Sequence, residues 1–336
     1  MIRKYLALAV ATIAAGACAI DVSTQPGTTG GSTSVTDPSL PSVRRAVVVS
    51  VDGLRGDALW QMPAMSALRT RAVWTDSMQT IVPSLTAPGH LAMFTGRDVT
   101  RFGIVDNTLD ENTGFALAVN RATAMFQWVH DAQGTSAALV GTSLVPADQV
   151  SNAKKFFGID ELISVDADLS PIGAQAIAAA TRADAPSLLF VHVPTVDFAG
   201  HDFGWIRADT TAAGGHDVLG PQYLDAVRRV DATLAELWRA LEPAVARGEV
   251  LFLVTADHGG GHGAGCVANV AANHEHCTAS AEDRTIPFLL IADGLTPGRI
   301  AGQPSITQVA PTVGALMRLT VPSAAGAALP MSAAKN

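Results

Sequence analysis

Short apolar runs recur along the chain and alternate with segments of helical periodicity. The runs cover residues 46–52, 136–141, 187–193, 250–257 and 286–292. Each is almost continuously apolar, which is typical of strands covered on both faces. Between them, the clearest helix is expected to begin at Gly220-Pro221 and to end before Gly248. The alternation predicts an α/β fold, with a mostly parallel central sheet and helices on both faces.

The N-terminal segment is typical of an export signal. Residues 1–17 begin with Arg3 and Lys4, continue with an apolar stretch and end in small residues. Two kinds of processing fit: plain cleavage between small residues, or cleavage before Cys18 with a lipid on its sulfur. The second is favoured because residues 18–43 form a tether rich in Ser, Thr, Gly and Pro. We therefore expect an exported protein, periplasmic, secreted or held in the cell envelope, with membrane contact only through Cys18.

The rest of the chain is expected to form one domain over residues 44–322, followed by a tail over residues 323–336. The protein has 336 residues, of which 48% are hydrophobic and 15% charged, which is enough to bury a large core. The formal charge of −8 offers no basic surface for nucleic acid. Cys266 and Cys277 lie close in sequence and are natural disulfide partners after export, the alternative being two free buried thiols.

Acidic and imidazole side chains follow three of the predicted strands. Asp52 ends the first run, Asp197 and His201 follow the run at 187–193, and Asp257 and His258 end the run at 250–257. Parallel strands bring their carboxyl ends to one edge of a sheet, where ligands collect. Taken singly, each residue has an ordinary structural explanation. Together they form a set of oxygen and nitrogen donors suited to Zn²⁺ or a similar divalent cation.

Thr86 stands in the segment "VPSLTAPGHLAMFTG", residues 82–96, ahead of a short apolar run. On local grounds it is a helix cap, because a Thr side chain accepts readily from a free backbone N–H at a helix start. A threonine beside a metal site is also a candidate nucleophile, and the two interpretations stay open at this level.

The ordered motifs "VDGLRGD", "PSLTAPGH", "GIVDN", "VDFAGH", "TADHGG" and "RTIPFLL", followed by "SITQVAPTVGAL", resemble those of the alkaline phosphatase superfamily. The similarity is greatest to its nucleotide pyrophosphatase/phosphodiesterase branch and extends from residue 46 to about residue 320. The resemblance implies an alkaline-phosphatase-like fold and two divalent metal ions, usually zinc. It also implies a Thr or Ser nucleophile and a small-molecule phosphate ester as substrate.

Carried over residue by residue, the resemblance assigns two ligand sets. One ion would be held by Asp52, Thr86, Asp257 and His258, and the other by Asp197, His201 and a third histidine. His276 is the preferred third ligand because it stands ten residues before Ile286, and His262 and His274 are its rivals. Asn107 would bind a phosphoryl oxygen. His90 is expected to support the site, and no chemistry is assigned to His130, His192 or His216.

The implied reaction is phosphodiester hydrolysis through a phosphothreonine. The turn at Thr86 lacks the Cys/Ser-x-Pro-x-Arg pattern of sulfatases, and "VGTSLVPADQV" lacks the Lys-x-Arg pair expected of a phosphomonoesterase. Arg97, Arg101 or Lys154 could still supply positive charge. The alternatives are a phosphomonoesterase or phosphotransferase of the same superfamily and, from another class, a non-catalytic metal- or glycan-binding surface lipoprotein.

Overall fold

The computed structural model describes residues 38–107, 124–165, 169–209 and 216–332. The predicted signal and most of the tether lie outside these residues. The ten strands of the described residues are β1 Arg45–Val51, β2 Val73–Gln79, β3 Ser136–Gly141, β4 Glu161–Val165, β5 Leu188–Val193, β6 Ile206–Asp209, β7 His216–Leu219, β8 Val250–Thr255, β9 Thr285–Ile291 and β10 Gly298–Arg299. The α-helices are Pro63–Leu68, Thr86–Thr95, Met125–Asp131, Val150–Phe157, Leu169–Thr181, Thr195–Phe203, Pro221–Ala246, Ala281–Arg284 and Val309–Leu316.

Eight strands form the central sheet, in the order β10-β2-β9-β8-β1-β5-β3-β4. The strands β8, β1, β5, β3 and β4 are parallel to their neighbours in this order, whereas β9 is antiparallel to both β8 and β2. Strands β1, β5 and β8 are almost entirely buried, which explains their continuous apolar sequences. The structure confirms the predicted mostly parallel α/β sheet.

The helices pack in two groups that contact the sheet separately. Helices Leu169–Thr181, Thr195–Phe203 and Pro221–Ala246 pack together, and Leu169–Thr181 also contacts β3 and β5. A second group contains Thr86–Thr95, Met125–Asp131 and Val309–Leu316, and Met125–Asp131 contacts β3. Because neither group packs on the other, one layer lies on each face of the sheet. The long helix begins after Gly220 with Pro221 in its first turn, as the sequence predicts.

The five predicted strands are present, the run at 136–141 with the same ends and the other four with ends shifted by one or two residues. The sequence analysis did not predict β2, β4 or the short β10. It also did not predict β6 and β7, which form an antiparallel two-stranded sheet. Strand β2 mixes buried and partly exposed positions, and β4 has one buried residue, so their sequences lack the continuous apolar signal of the central strands.

The segment expected as a C-terminal tail packs on the domain. Leu329 is buried, and its backbone N–H donates to Thr312 Oγ1 at 2.8 Å. The N–H of Gly326 donates to the carbonyl of Gly96, and the N–H of Thr296 donates to that of Ser332. At the other end of the described chain, the N–H of Val43 donates to the carbonyl of Leu316, just before β1 begins at the amino edge of the sheet. Within the described residues, no helix combines the length and apolarity that a membrane span requires.

Candidate active site

Three neighbouring strands deliver polar residues to the carboxyl edge of the sheet. Asp52 directly follows β1, helix Thr195–Phe203 begins just after β5, and Asp257 and His258 follow β8. The register pairs Ser50 of β1 with strand residues near the ends of both β5 and β8, so the three strands end at the same level. The side chains expected to converge therefore do so.

Thr86 is the first residue of helix Thr86–Thr95 and not its cap. The N-cap position belongs to Leu85, whose side chain makes no capping hydrogen bond. The hydroxyl of Thr86 instead lies 3.1 Å from His258 Nε2. The expectation of a capping threonine is therefore wrong, because this side chain turns towards the ends of the strands and not back onto its own helix.

The first cluster surrounds Nε2 of His258. Asp52 Oδ1 and Asp257 Oδ2 each lie 3.2 Å from this nitrogen, and Thr86 Oγ1 lies 3.1 Å from it. His258 donates its Nδ1–H to the carbonyl of Gly259 at 2.8 Å, so in the neutral ring the Nε2 lone pair points at the three oxygens. A histidine fixed in this way by a backbone carbonyl is typical of a metal ligand.

The buried carboxylates of this cluster favour binding of a cation. Burial raises the pKa of Asp257 well above its ordinary value, and the charge of Asp52 adds to the rise. Burial lowers the pKa of His258, but the charges of Asp257 and Asp52 overcome this effect and raise it to about 10. Asp52 Oδ1 and Asp257 Oδ2 are buried and accept no hydrogen bond. A divalent cation among these oxygens would compensate both carboxylates.

The second cluster centres on Asp197. Its Oδ2 lies 3.6 Å from His201 Nε2, one helical turn further along, and its Oδ1 lies 3.7 Å from His276 Nε2. The two histidines donate Nδ1–H to backbone carbonyls, His201 to that of His274 at 2.8 Å and His276 to that of Ser84 at 2.6 Å. Both Nε2 atoms are thus left facing the carboxylate.

Burial dominates the electrostatics of the second cluster. It raises the pKa of Asp197 to about 7, and the charge of Asp52 contributes to this rise. Burial also lowers the pKa of His276 well below its ordinary value, with His258 and His201 acting in the same direction. The rings of His276 and His258 stack with their centroids 3.7 Å apart. His258 therefore stands between the two clusters, and its ligand atom groups with Asp197 and His276 as well as with Asp52 and Asp257.

The two rival histidines lie elsewhere. His262 Nε2 is 3.9 Å from Glu282 Oε2 and 4.0 Å from Asp217 Oδ2. His274 donates its Nδ1–H to the carbonyl of His201 at 2.8 Å, so it supports the backbone of that helix. Of the three candidates, His276 is the one whose Nε2 lies within 4 Å of Asp197.

His192 has a position that the sequence analysis missed. It is fully buried in β5, its Nδ1 accepts the N–H of Gly141 at 3.1 Å, and its Nε2 lies 2.9 Å from Asp52 Oδ2. Because Nδ1 is an acceptor, the proton is on Nε2 and is donated to Asp52. Burial would raise the pKa of Asp52, but the hydrogen bond from His192 and the charge of the nearby His258 ring hold it well below its ordinary value. A lone polar residue in an otherwise apolar strand is the signal that could have identified His192.

His90 supports the helix that carries Thr86, as expected. Its Nδ1 donates to the carbonyl of Thr86 at 2.8 Å and lies 3.3 Å from Asp257 Oδ2. Burial and the nearby ring of His192 lower the pKa of His90 to about 3, so the ring is neutral. Asn107 lies on the other side of Thr86, where its Oδ1 accepts the N–H of Ala87 at 3.0 Å.

Trp205 packs against the histidines of the second cluster. Its Nε1–H donates to the carbonyl of Gly53 at 2.9 Å, and its ring packs edge-on against those of His201 and His276. A Cβ at Gly260, just after His258, would lie 2.4 Å from the indole. This close approach is the reason for a glycine directly after the ligand-bearing turn.

The segment that carries His276 is held by a disulfide and a buried carboxylate. Cys266 and Cys277 are bonded, as predicted. Asp283 is fully buried, and its Oδ2 accepts the N–H and the hydroxyl of Thr278 at 3.0 and 2.8 Å, while its Oδ1 accepts the N–H of His262. These bonds fix the insertion against the start of β9.

Solved structures with the same architecture identify the class. An inactive variant of murine ectonucleotide pyrophosphatase/phosphodiesterase 5 in complex with AMP aligns with 87% of this chain and 97% of its own, at a TM-score of 0.59 and 16% identity. A 2-O glycosaminoglycan sulfatase aligns with 86% of this chain and 73% of its own, at a TM-score of 0.62 and 14% identity. The fold is therefore the alkaline-phosphatase-like α/β fold that these proteins share.

The sequence comparison narrows this class to one family. The family model of type I phosphodiesterases and nucleotide pyrophosphatases matches residues 46–287, and the chain belongs to that family. A mouse relative, ectonucleotide pyrophosphatase/phosphodiesterase family member 3, is 24% identical over an alignment of 237 residues, and the match covers 63% of this chain. The chain spans about a quarter of the length of that relative, since the match covers 24% of it.

Proposed function

We propose that the protein is a two-metal phosphodiesterase in which Thr86 is the nucleophile. The observation that carries the proposal is the position of Thr86 Oγ1, which lies 3.1 Å from His258 Nε2 at the start of a helix. In this position the hydroxyl shares one cluster with two buried carboxylates. A threonine with only a structural role has no need of these neighbours.

The donor set fits two divalent cations, most simply Zn²⁺. Asp52, Thr86, Asp257 and His258 would hold one ion, and Asp197, His201 and His276 the other. In favour of this assignment, three carboxylate oxygens of the set are buried without a hydrogen bond, at Asp52, Asp257 and Asp197. Nitrogen and carboxylate donors in this ratio suit zinc. Bound ions would lower the pKa of the Thr86 hydroxyl and compensate the charge of the reacting phosphate.

The chain's own residues would carry out the displacement. Thr86 Oγ1 attacks phosphorus and forms a phosphothreonine, the alcohol of the substrate leaves, and water then attacks to release the phosphate product and restore the hydroxyl. The N-terminus of helix Thr86–Thr95 favours negative charge at this place. Asn107 Oδ1 is occupied by the N–H of Ala87, so the NH₂ group of Asn107 is left to donate to a phosphoryl oxygen.

A diester is the preferred substrate because no additional cation contacts the clusters within residues 38–107, 124–165, 169–209 and 216–332. Arg101 is exposed and pairs with Asp98, and Arg97 lies over the ring of Phe102. Lys154 lies on helix Val150–Phe157 and makes no hydrogen bond or ion pair with the cluster residues. A phosphate dianion would require more positive charge than a diester monoanion. A phosphomonoesterase or phosphotransferase of the same superfamily, and a non-catalytic surface lipoprotein, remain the alternatives to be tested.

The test is hydrolysis of bis-p-nitrophenyl phosphate, with p-nitrophenyl phosphate and p-nitrophenyl sulfate in parallel. We expect the highest kcat/KM for the diester, loss of activity after chelation and recovery on addition of Zn²⁺. A preference for the monoester or the sulfate ester would refute the diesterase assignment. Absence of turnover with all three esters, despite bound metal, would favour the non-catalytic alternative.

Export and lipid attachment at Cys18 belong to the same proposal. The Cys266–Cys277 bond supports export, because disulfides form and persist mainly in oxidising compartments. Cys18→Ser should release the protein from the membrane fraction if a lipid is attached there. Unchanged fractionation of this variant would favour plain cleavage.

A further inference from the structure

A groove of about 740 Å³ lies at the carboxyl edge of the sheet. Its walls include Gln79 and Thr80 at the end of β2 and Arg284 just before β9. Because β9 runs antiparallel to β8, its first residue lies at the same edge as the end of β8. The groove is therefore on the side of the sheet that carries the candidate active site.

Two segments join the groove to the catalytic residues. Val82 lines it and is four residues from Thr86, so their Cα atoms are at most about 14 Å apart. Phe102 lines it on the other side and is five residues from Asn107. The groove thus begins within reach of an extended substrate bound at Thr86.

The charge of the groove is positive although the protein as a whole is acidic, with a formal charge of −8. Three arginines line it, Arg97, Arg101 and Arg284, against one acid, Asp98. Asp98 is already engaged, because its Oδ1 accepts from the N–H and hydroxyl of Thr100 and its Oδ2 lies 3.4 Å from Arg101. Two positive charges therefore lack an acidic counterpart.

The two remaining guanidinium groups have no acidic partner in the described part of the chain. Arg97 is placed 4.2 Å above the ring of Phe102, and burial lowers its pKa. Arg284 has a buried Nε that makes no hydrogen bond. A partly desolvated guanidinium gains strongly from a phosphate or carboxylate, which matches its planar donors.

A buried hydroxyl adds an independent indication of a ligand. Thr80 lines the groove and is 2% exposed, and its Oγ1 has no hydrogen-bond partner. A buried donor left unpaired costs about 1–3 kcal/mol. The groove therefore presents hydroxyl and guanidinium donors to an acceptor that this chain does not supply.

We propose that this groove binds a second anionic group, a phosphate or a carboxylate, of the phosphodiester that Thr86 attacks. That the ligand is a substrate rests on the proposed function. That the groove binds an anion does not, because it is inferred from the unpaired arginines. The substrate class is then a phosphodiester with another negative charge on the part that extends towards Arg97 and Arg284. The groove contributes binding and not chemistry, so it lowers KM more than it raises kcat.

A matched pair of substrates tests the proposal in the metal-loaded protein. The p-nitrophenyl ester of thymidine 5′-phosphate is compared with the same ester carrying a 3′-phosphate. We expect the wild type to favour the second compound at least tenfold in kcat/KM, mainly through KM. In the double variant Arg97→Gln, Arg284→Gln this preference should fall to about twofold or less, while turnover of the first compound stays within twofold.

Arg101→Gln is the matched control, because it removes an exposed arginine that Asp98 already neutralises, and it should retain most of the preference. A wild type without preference, or a double variant equally impaired on both compounds, would overturn the substrate assignment. Thermal unfolding of each variant separates loss of binding from loss of fold.

Calorimetric titration with inorganic pyrophosphate tests whether the groove binds a free anion and not an anionic group of the substrate. Binding that the double variant loses, without any preference between the two esters, would show a site for a free anion. Pyrophosphate binding that is identical in the wild type and the double variant would overturn the anion site altogether. If the wild type hydrolysed neither ester, the proposed function would fail, and the titration would still decide whether the groove binds anions.

Discussion

His192 offers a sharp test of the metal-site assignment, because it touches Asp52 without facing the cluster. Its Nε2–H donates to Asp52 Oδ2 at 2.9 Å, and both side chains are almost completely buried. His192→Leu keeps much of the volume but removes the donor. Asp52 is then left as a buried carboxylate with one fewer hydrogen bond.

The expected magnitude follows from the type of hydrogen bond. A bond to a charged group contributes about 1.5–3 kcal/mol. At about 1.4 kcal/mol per factor of ten, this corresponds to a loss of roughly 10- to 140-fold in affinity for the ion at Asp52. The range agrees with the 10–100-fold typical of groups that hydrogen-bond to metal ligands. The ion at Asp197 should be affected much less, because His192 has no contact with that residue.

The assay is competition for Zn²⁺ against a chromophoric chelator, supported by the visible absorption of Co²⁺-substituted protein. His192→Gln is the matched variant, since its amide can still donate to Asp52 while losing the Gly141 contact, as the leucine variant does. His130→Leu changes a histidine whose side chain is 55% exposed and controls for a general effect. Unchanged affinity of the leucine variant for both ions would refute the reasoning, as would equal losses in the leucine and glutamine variants.

Three further predictions follow from the same geometry. Thr86→Ala should lower turnover by at least about three orders of magnitude with the fold intact, and near-normal activity would end the nucleophile assignment. Elemental analysis of active protein should give about two zinc-like ions per chain, and protein that is active without a transition metal would contradict the ligand sets. Cys266→Ser with Cys277→Ser should clearly weaken retention of the ion at Asp197 while it changes the melting temperature only slightly. His276→Ala should reproduce that loss and His262→Ala should not, and the reverse result would place the third ligand at His262.

Much of the fold could be predicted because the central strands carry an unusual signal. Strands buried on both faces must be apolar throughout, so β1, β3, β5, β8 and β9 were visible as continuous runs. Strand β2 contains Thr75, Asp76 and Ser77 within seven residues, and its pairing with β9 and β10 stabilises it as a strand. Such strands depend on a partner distant in sequence, which local patterns do not reveal.

The candidate site was predicted unevenly for a similar reason. Asp52, Asp197 and Asp257 follow strands, so their convergence is a consequence of parallel topology. Among the three histidines of the insertion, His276 was preferred only for its spacing from Ile286. Its position in the fold depends on a disulfide and on Ser84, an acceptor that lies far away in sequence. His192 was missed because its partner Asp52 is 140 residues away and joins it only through the pairing of β1 with β5.

The direction of β1 separates the start of the described chain from the candidate active site. The chain enters β1 at Arg45 on the amino edge, and the seven residues of this strand rise by roughly 23 Å before Asp52. The backbone that leads into β1 therefore joins the sheet at the edge opposite the clusters. A label or fusion placed at residues 38–44 would be separated from the reacting groups by the length of the strand.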